Sequence, residues 1–362
     1  MSPSSKPTFT GTAKAAMTPR VAISIGLSLM LTTAGWEISS IWRSIIPVAV
    51  AASGKVFNGQ IIQIQGNVQL MRSPGQVIRP KTGTRLYPGD KLLAANGAQV
   101  LIQCTDLTTR SVQAGENQLN SCPNATEQAE CSPGTYKCPH RGDEIAWTDG
   151  IPYIISPRRT ALLNDKPTLR WNPVPGAKSY TVSVEGENVN WKTQVSDTQV
   201  VYSGEQPLKP GGRYLLSVVA DTGASSVDEP VKPGGLNFGL LDQTQAQRVQ
   251  AQAKQITRQT WTDQAKALAL ANLYTENGLI ADAIATLEKL VNNGVQTAPI
   301  YRTLGDLYLK YLGLVPQAKV YYSKAVELVD AEDVEEQKAA QDGLEQVQKA
   351  LENQDSNQGL KR

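Results

Sequence analysis

Leu270-Ala271-Asn272-Leu273-Tyr274 returns as Leu304-Gly305-Asp306-Leu307-Tyr308, 34 residues further on. Leucine, small residue and tyrosine keep their register across the offset. A repeat of that length, with small and aromatic residues at fixed positions, predicts stacked helix–turn–helix units. The small positions let paired helices approach closely, and the tyrosines fill the space beside them. In the first unit Ala283 and Leu287 continue the pattern on the second helix, with Gly278 in the turn between. In the second unit Tyr311-Leu-Gly-Leu-Val-Pro316 holds one residue more than the first, and the extra residue is expected in the turn. With it allowed for, Ala318, Tyr322 and Ala325 fall into place, and Pro299 sits where a first helical turn tolerates proline.

These positions resemble the tetratricopeptide (TPR) repeat. Two units leave apolar faces open, and about three are usually needed for a stable stack. The flanks offer capping helices. Gln243 to Thr260 carries Val249, Ala253 and Ile256 on one stripe, and Asp333 to Asn353 carries Ala339, Leu344, Val347 and Leu351. The resemblance implies a protein or peptide partner, held on the concave face lined by the first helix of each unit. By register that face includes Leu268, Asn272, Arg302, Asp306 and Lys310. The family's clamp for C-terminal carboxylates needs a lysine where this chain has Leu268, so an extended peptide with mixed contacts is expected instead.

The first 36 residues contain no Asp or Glu, and Lys6, Lys14 and Arg20 precede the apolar run Val21 to Gly35. The run fits the apolar part of an export signal and is short for a spanning helix, which needs roughly 20 apolar residues. Residues 1–53 are read as a signal cleaved near Ala49-Val50-Ala51, or as an uncleaved membrane anchor. Either reading places the remainder outside the cytoplasm, in the periplasm or cell envelope. All four cysteines, Cys104, Cys122, Cys131 and Cys138, fall in one stretch. In an exported chain they are expected to pair, Cys104 with Cys122 and Cys131 with Cys138. A metal site from Cys122, Cys131, Cys138 and His140 is the competing reading, without the close Cys-x-x-Cys pairs of zinc sites.

Two strand-rich stretches precede the helices. From Ile61 to Val112 the alternations Val68/Leu70 and Val100/Ile102 predict half-buried strands, with a tight turn at Pro88-Gly89-Asp90. The spacing of its glycines resembles the FecR-type β domain of bacterial envelope proteins. That family's signalling role uses a helical cytoplasmic segment, and the residues before the apolar run show no helical period. From Ile151 to Gly239, Thr168-Leu-Arg-Trp171, Tyr180-Thr-Val182-Ser-Val184 and Arg213-Tyr214 resemble a fibronectin type III sandwich, with Trp171 and Tyr214 in its core. Trp191 could pack inward or stand exposed.

The expected organisation is multidomain: all-β N-terminal modules followed by an all-α array. Its segments are 1–53 (leader), 54–115 (FecR-like), 116–150 (cysteine loop), 151–240 (sandwich), 241–355 (helical repeats) and 356–362 (disordered tail). The formal charge of +2, with basic residues apart from aromatics, carries no nucleic-acid footprint. No phosphate-binding glycine run, His-Glu-x-x-His or nucleophile elbow occurs, so no catalytic residues and no cofactor are assigned. A non-catalytic exported scaffold is the leading expectation. An envelope sensor and a wall-glycan enzyme are the alternatives.

Overall fold

A computed structural model describes residues 56–72, 75–113, 117–124, 136–139, 149–230 and 236–359. The expected leader, Cys131 and His140 lie outside the described residues. Strands come first and helices after them, as expected.

The strand domain holds β1 (Gly59–Gln65), β2 (Val68–Arg72), β3 (Gln76–Ile78), β4 (Arg85–Leu86), β5 (Lys91–Ala94), β6 (Gln99–Cys104), β7 (Thr109–Gln113) and β8 (Asn117–Leu119). They form two antiparallel sheets, β4-β1-β6-β7 and β3-β2-β5-β8. Val68 and Leu70 of one sheet share a core with Val100 and Ile102 of the other. β8 extends the domain past the expected end at residue 115, because Lys91 of β5 pairs with Leu119. In β1 the pairing with β6 shifts between Ile61 and Gln63. Adjacent side chains there serve opposite faces: Ile61 belongs to the strand-domain core, and Ile62 to the core of the helices. Asp90 accepts from the Tyr87 amide at 3.0 Å, closing the Pro88-Gly89 turn as expected.

The sandwich comprises β9 (Ile154–Ser156), β10 (Thr160–Leu162), β11 (Thr168–Trp171), β12 (Tyr180–Gly186), β13 (Val189–Val195), β14 (Gln199–Val201), β15 (Arg213–Ala220) and β16 (Asn237–Leu240). Its sheets run β14-β11-β9 and β10-β16-β15-β12-β13. Trp171 is buried edge-on to Tyr180, with centroids 5.6 Å apart. Tyr214 is buried, and its hydroxyl accepts from the Lys209 amide five residues upstream at 2.6 Å. Trp191 packs inward against Tyr202.

The array comprises α1 (Gln243–Thr257), α2 (Asp263–Glu276), α3 (Ile280–Asn292), α4 (Ala298–Asp306), α5 (Val315–Leu328) and α6 (Val334–Gly359). The Asp242 and Thr262 side chains cap α1 and α2 by accepting from Gln245 and Ala265 amides. The extra residue of the second unit is not in the turn. It widens the end of α4 into a π-helical turn, Leu307–Tyr311, where the Leu312 amide donates to the Leu307 carbonyl at 3.3 Å. α6 continues past the expected end at residue 355, to Gly359.

Tyr322 explains two glycines. A Cβ on Gly305 would lie 2.8 Å from its ring, and one on Gly343 only 2.2 Å. The ring therefore fills the space between α4 and α6. Gly305→Leu is expected to cost about 1–3 kcal/mol by overpacking this contact. Thermal unfolding of the full chain checks it, and an unchanged transition would contradict the close-packed position.

The sandwich completes the start of α3. Leu279, at the cap position, offers no side-chain acceptor, and Thr160 Oγ1 of β10 instead accepts from the Ala281 amide at 3.1 Å. One turn in, Asp282 is mostly buried and its Oδ2 has no protein partner. Burial pushes its carboxyl up to about 6 from an ordinary 3.8. Above pH 6 the carboxylate is charged in folded and unfolded chain alike, so the full burial cost is present at neutral pH. That cost is relieved as pH falls through 6, because the folded state takes up the proton first. Asp282→Asn is therefore expected to stabilise the chain at pH 7 by on the order of 2 kcal/mol. The gain should shrink toward pH 4. Denaturant titrations of both proteins at several pH values measure it, and a pH-independent difference would contradict the assignment.

Candidate functional site

The five residues expected to line the concave face lie on α2, α4 and the π turn. The repeat offset places Leu268 and Arg302 at equivalent positions, and likewise Asn272 and Asp306. The strand domain lies against this face.

Leu268 is 1% exposed and belongs to the same apolar cluster as Ile62 of β1. Asn272 donates through Nδ2 to Gln60 Oε1 at 3.1 Å and to Gln103 Oε1 at 2.8 Å, reaching β1 and β6. Arg302 is wholly buried. Its Nε donates to Glu336 Oε1 at 2.5 Å and its Nη1 to Asp306 Oδ2 at 2.7 Å. Nη2 has no protein partner. Lys310 alone stays substantially exposed, at 38% of its side chain, and pairs with Asp306 Oδ1 at 2.6 Å.

Asp306 is the hub. Besides Arg302 and Lys310 it accepts from the Tyr322 hydroxyl at 2.7 Å and from Arg85 Nη2 of the strand domain at 2.8 Å. Burial alone would raise its pKa, but Lys310, Arg85 and Arg302 outweigh burial and hold the carboxyl far below the usual carboxylate range. Arg72 extends the network. It pairs with Asp90 of its own domain at 3.3 Å and with Asp333, before α6, at 3.1 Å. Its Nη2 donates to the Arg85 carbonyl at 2.6 Å, so the Arg72 guanidinium is tied to the backbone of β4. Burial raises the Asp333 pKa while Arg72 opposes the rise. Gln76 donates to the Glu332 carbonyl at 2.6 Å, and Gln63 accepts from the Thr262 amide at 2.8 Å.

Gly83 permits this approach. It has φ +96°, and a Cβ there would come within 2.9 Å of Pro299 in the first turn of α4. Sequence reasoning missed Gln60, Gln103, Arg72 and Arg85 as partners of the helices. One signal was present: Ile61 and Ile62, two adjacent branched apolar residues in a strand that otherwise alternates, mark a strand buried on both faces.

Cys104 and Cys122 are joined in a disulfide, as expected. Cys138 is also disulfide-bonded. Cys122 and Cys138 are thus not available as the thiolates of the competing metal reading. No protein-family model matches the chain, and no curated protein matches it.

Proposed function

We propose that the chain is an exported, non-catalytic scaffold of the bacterial cell envelope. On this reading it joins a FecR-type strand domain, a fibronectin type III-like sandwich and TPR-like repeats, and it holds a protein partner. The observation that carries the reading is the seam. The face of α2 and α4 that repeat arrays use to grip polypeptides already grips one here, through Asn272 and Asp306. The 34-residue register and the hydrogen bond from the Lys209 amide to Tyr214 support the repeat and sandwich readings. The Cys104–Cys122 bond is compatible with an oxidising compartment.

Immobilised full-length chain exposed to envelope extract, read by mass spectrometry, is expected to retain a protein at near-stoichiometric yield. Retention of glycan material alone would overturn the scaffold reading. Protease protection of fractionated cells tests export, and a stable cytoplasmic pool would refute it.

A further inference from the structure

The array meets its two β neighbours by different physics. Toward the sandwich the contact is largely apolar and closed. Ile151 and Tyr153 are buried in the main cluster of the array, and Ala161 shares a second cluster with Val249, Leu273 and Leu279. A fully buried, bidentate Arg158–Glu229 pair reaches the turn after α4, where Arg158 Nε donates to the Leu312 carbonyl at 2.6 Å. Toward the strand domain the contact is mainly polar. Among the described residues Ile62 is the one fully buried apolar side chain that this domain adds to the clusters of the array, with Leu101 and Leu107 half-buried beside them. Besides the packing of Gly83 on Pro299, the remaining links are side-chain amides, ion pairs and the Thr297 hydroxyl on the Thr82 carbonyl, and water can satisfy both sides of these polar links when they part. Polar interfaces of that kind within one chain permit relative motion of the domains.

Asp306 shows what could take the strand domain's place. Three of its four donors, Arg302, Lys310 and Tyr322, come from the array itself and stay when the seam opens. Only Arg85 comes from across the seam. Its departure leaves Oδ2 of an ionised, largely buried carboxylate short of a donor, where the Arg85 guanidinium now sits. One repeat earlier, Asn272 offers an amide that donates to side-chain carbonyl oxygens, now those of Gln60 and Gln103.

We infer that the strand domain is a releasable occupant of the array's inner face, and that Asp306 is a receptor for arginine in an extended polypeptide that competes with Arg85. The inference rests on the reading of that face as a polypeptide-gripping surface. It names the chemistry of the competing segment: an arginine for Asp306 and a side-chain carbonyl for Asn272.

Amide hydrogen exchange on the full chain tests it without any envelope partner, so its outcome is independent of the pull-down. In Arg85→Ala, amides of β1, β4, α2 and α4 are expected to exchange about tenfold faster, the effect of losing one charge-assisted hydrogen bond. Those of β12 and β15 should keep the wild-type rate. Arg85→Lys, which keeps a cation, should lie between. A synthetic peptide of residues 80–90 in excess should speed exchange of β1 and β4 in the wild-type chain, and the same peptide with alanine at the Arg85 position should not. The proposal is overturned if faster exchange in Arg85→Ala spreads to the sandwich, if nothing changes, or if the two peptides act alike.

Discussion

Arg302→Ala is expected to destabilise the chain by about 3–5 kcal/mol, the usual cost of removing one partner from a buried ion pair. Arg302 is wholly buried between Glu336 and Asp306. Asp306 would keep Arg85, Lys310 and Tyr322. Glu336, 5% exposed, would lose its cation while Asp333 remains close enough to repel it. The stranded charge therefore sits on α6, and helical signal should be lost at lower denaturant. Pairing the change with Glu336→Leu, as Arg302→Leu/Glu336→Leu, removes both charges and should recover much of the loss. Denaturant unfolding followed by circular dichroism measures both. A loss below about 1 kcal/mol in Arg302→Ala would place Arg302 in solvent instead. Acid should not mimic the substitution near neutrality. The folded pKa of Asp306 lies below its ordinary 3.8, so its contribution is fully present above that value. It is lost only as pH falls from there through the folded pKa.

Opening the Cys104–Cys122 bond should cost about 3 kcal/mol, in line with a closed loop of 18 residues. Cys104 ends β6 in one sheet of the strand domain, and Cys122 follows β8 in the other, so the bond ties the two sheets together. Both residues lie in the core, so Cys104→Ala/Cys122→Ala is the cleaner replacement than serine. Thermal unfolding with and without reductant should show a lower transition for the reduced chain and little effect of reductant on the double variant. Thiol alkylation of the unreduced protein should label neither residue. An unchanged transition in reductant would remove the disulfide from the stability of this domain.

The layout was legible where one residue's period reports its own surroundings. The alternation of Val68 and Leu70, the Leu-small-x-x-Tyr offset and Trp171 before Tyr180 named positions that are buried, apart from the half-buried Leu270 and Tyr274 of the first unit. Helical register also put Asn272, Arg302, Asp306 and Lys310 on one face, and they lie on α2, α4 and the π turn. What covers that face was not legible, because periodicity says which residues share a side and nothing about what is packed there. Charged residues at those positions read as solvated by default. Their burial depends on Arg72 and Arg85, more than 200 residues away, whose own sequence neighbourhood reads as a turn-rich strand segment. The π turn escaped for a related reason, since an inserted residue leaves the same trace in a sequence whether a loop or a helix absorbs it.

The bond between Arg72 and Asp333 spans 261 residues. A ribosome completes the strand domain long before it makes α4 or α6, so during synthesis Arg72 and Arg85 have no acid across the seam and Ile62 has no core to enter. The nascent strand domain is thus a half-finished surface with a cationic, partly apolar flank. It stays so until the last helices arrive, and closing so long a loop is among the slow events of folding. A chain stopped before Gln243 would keep all of its strands and still expose that flank.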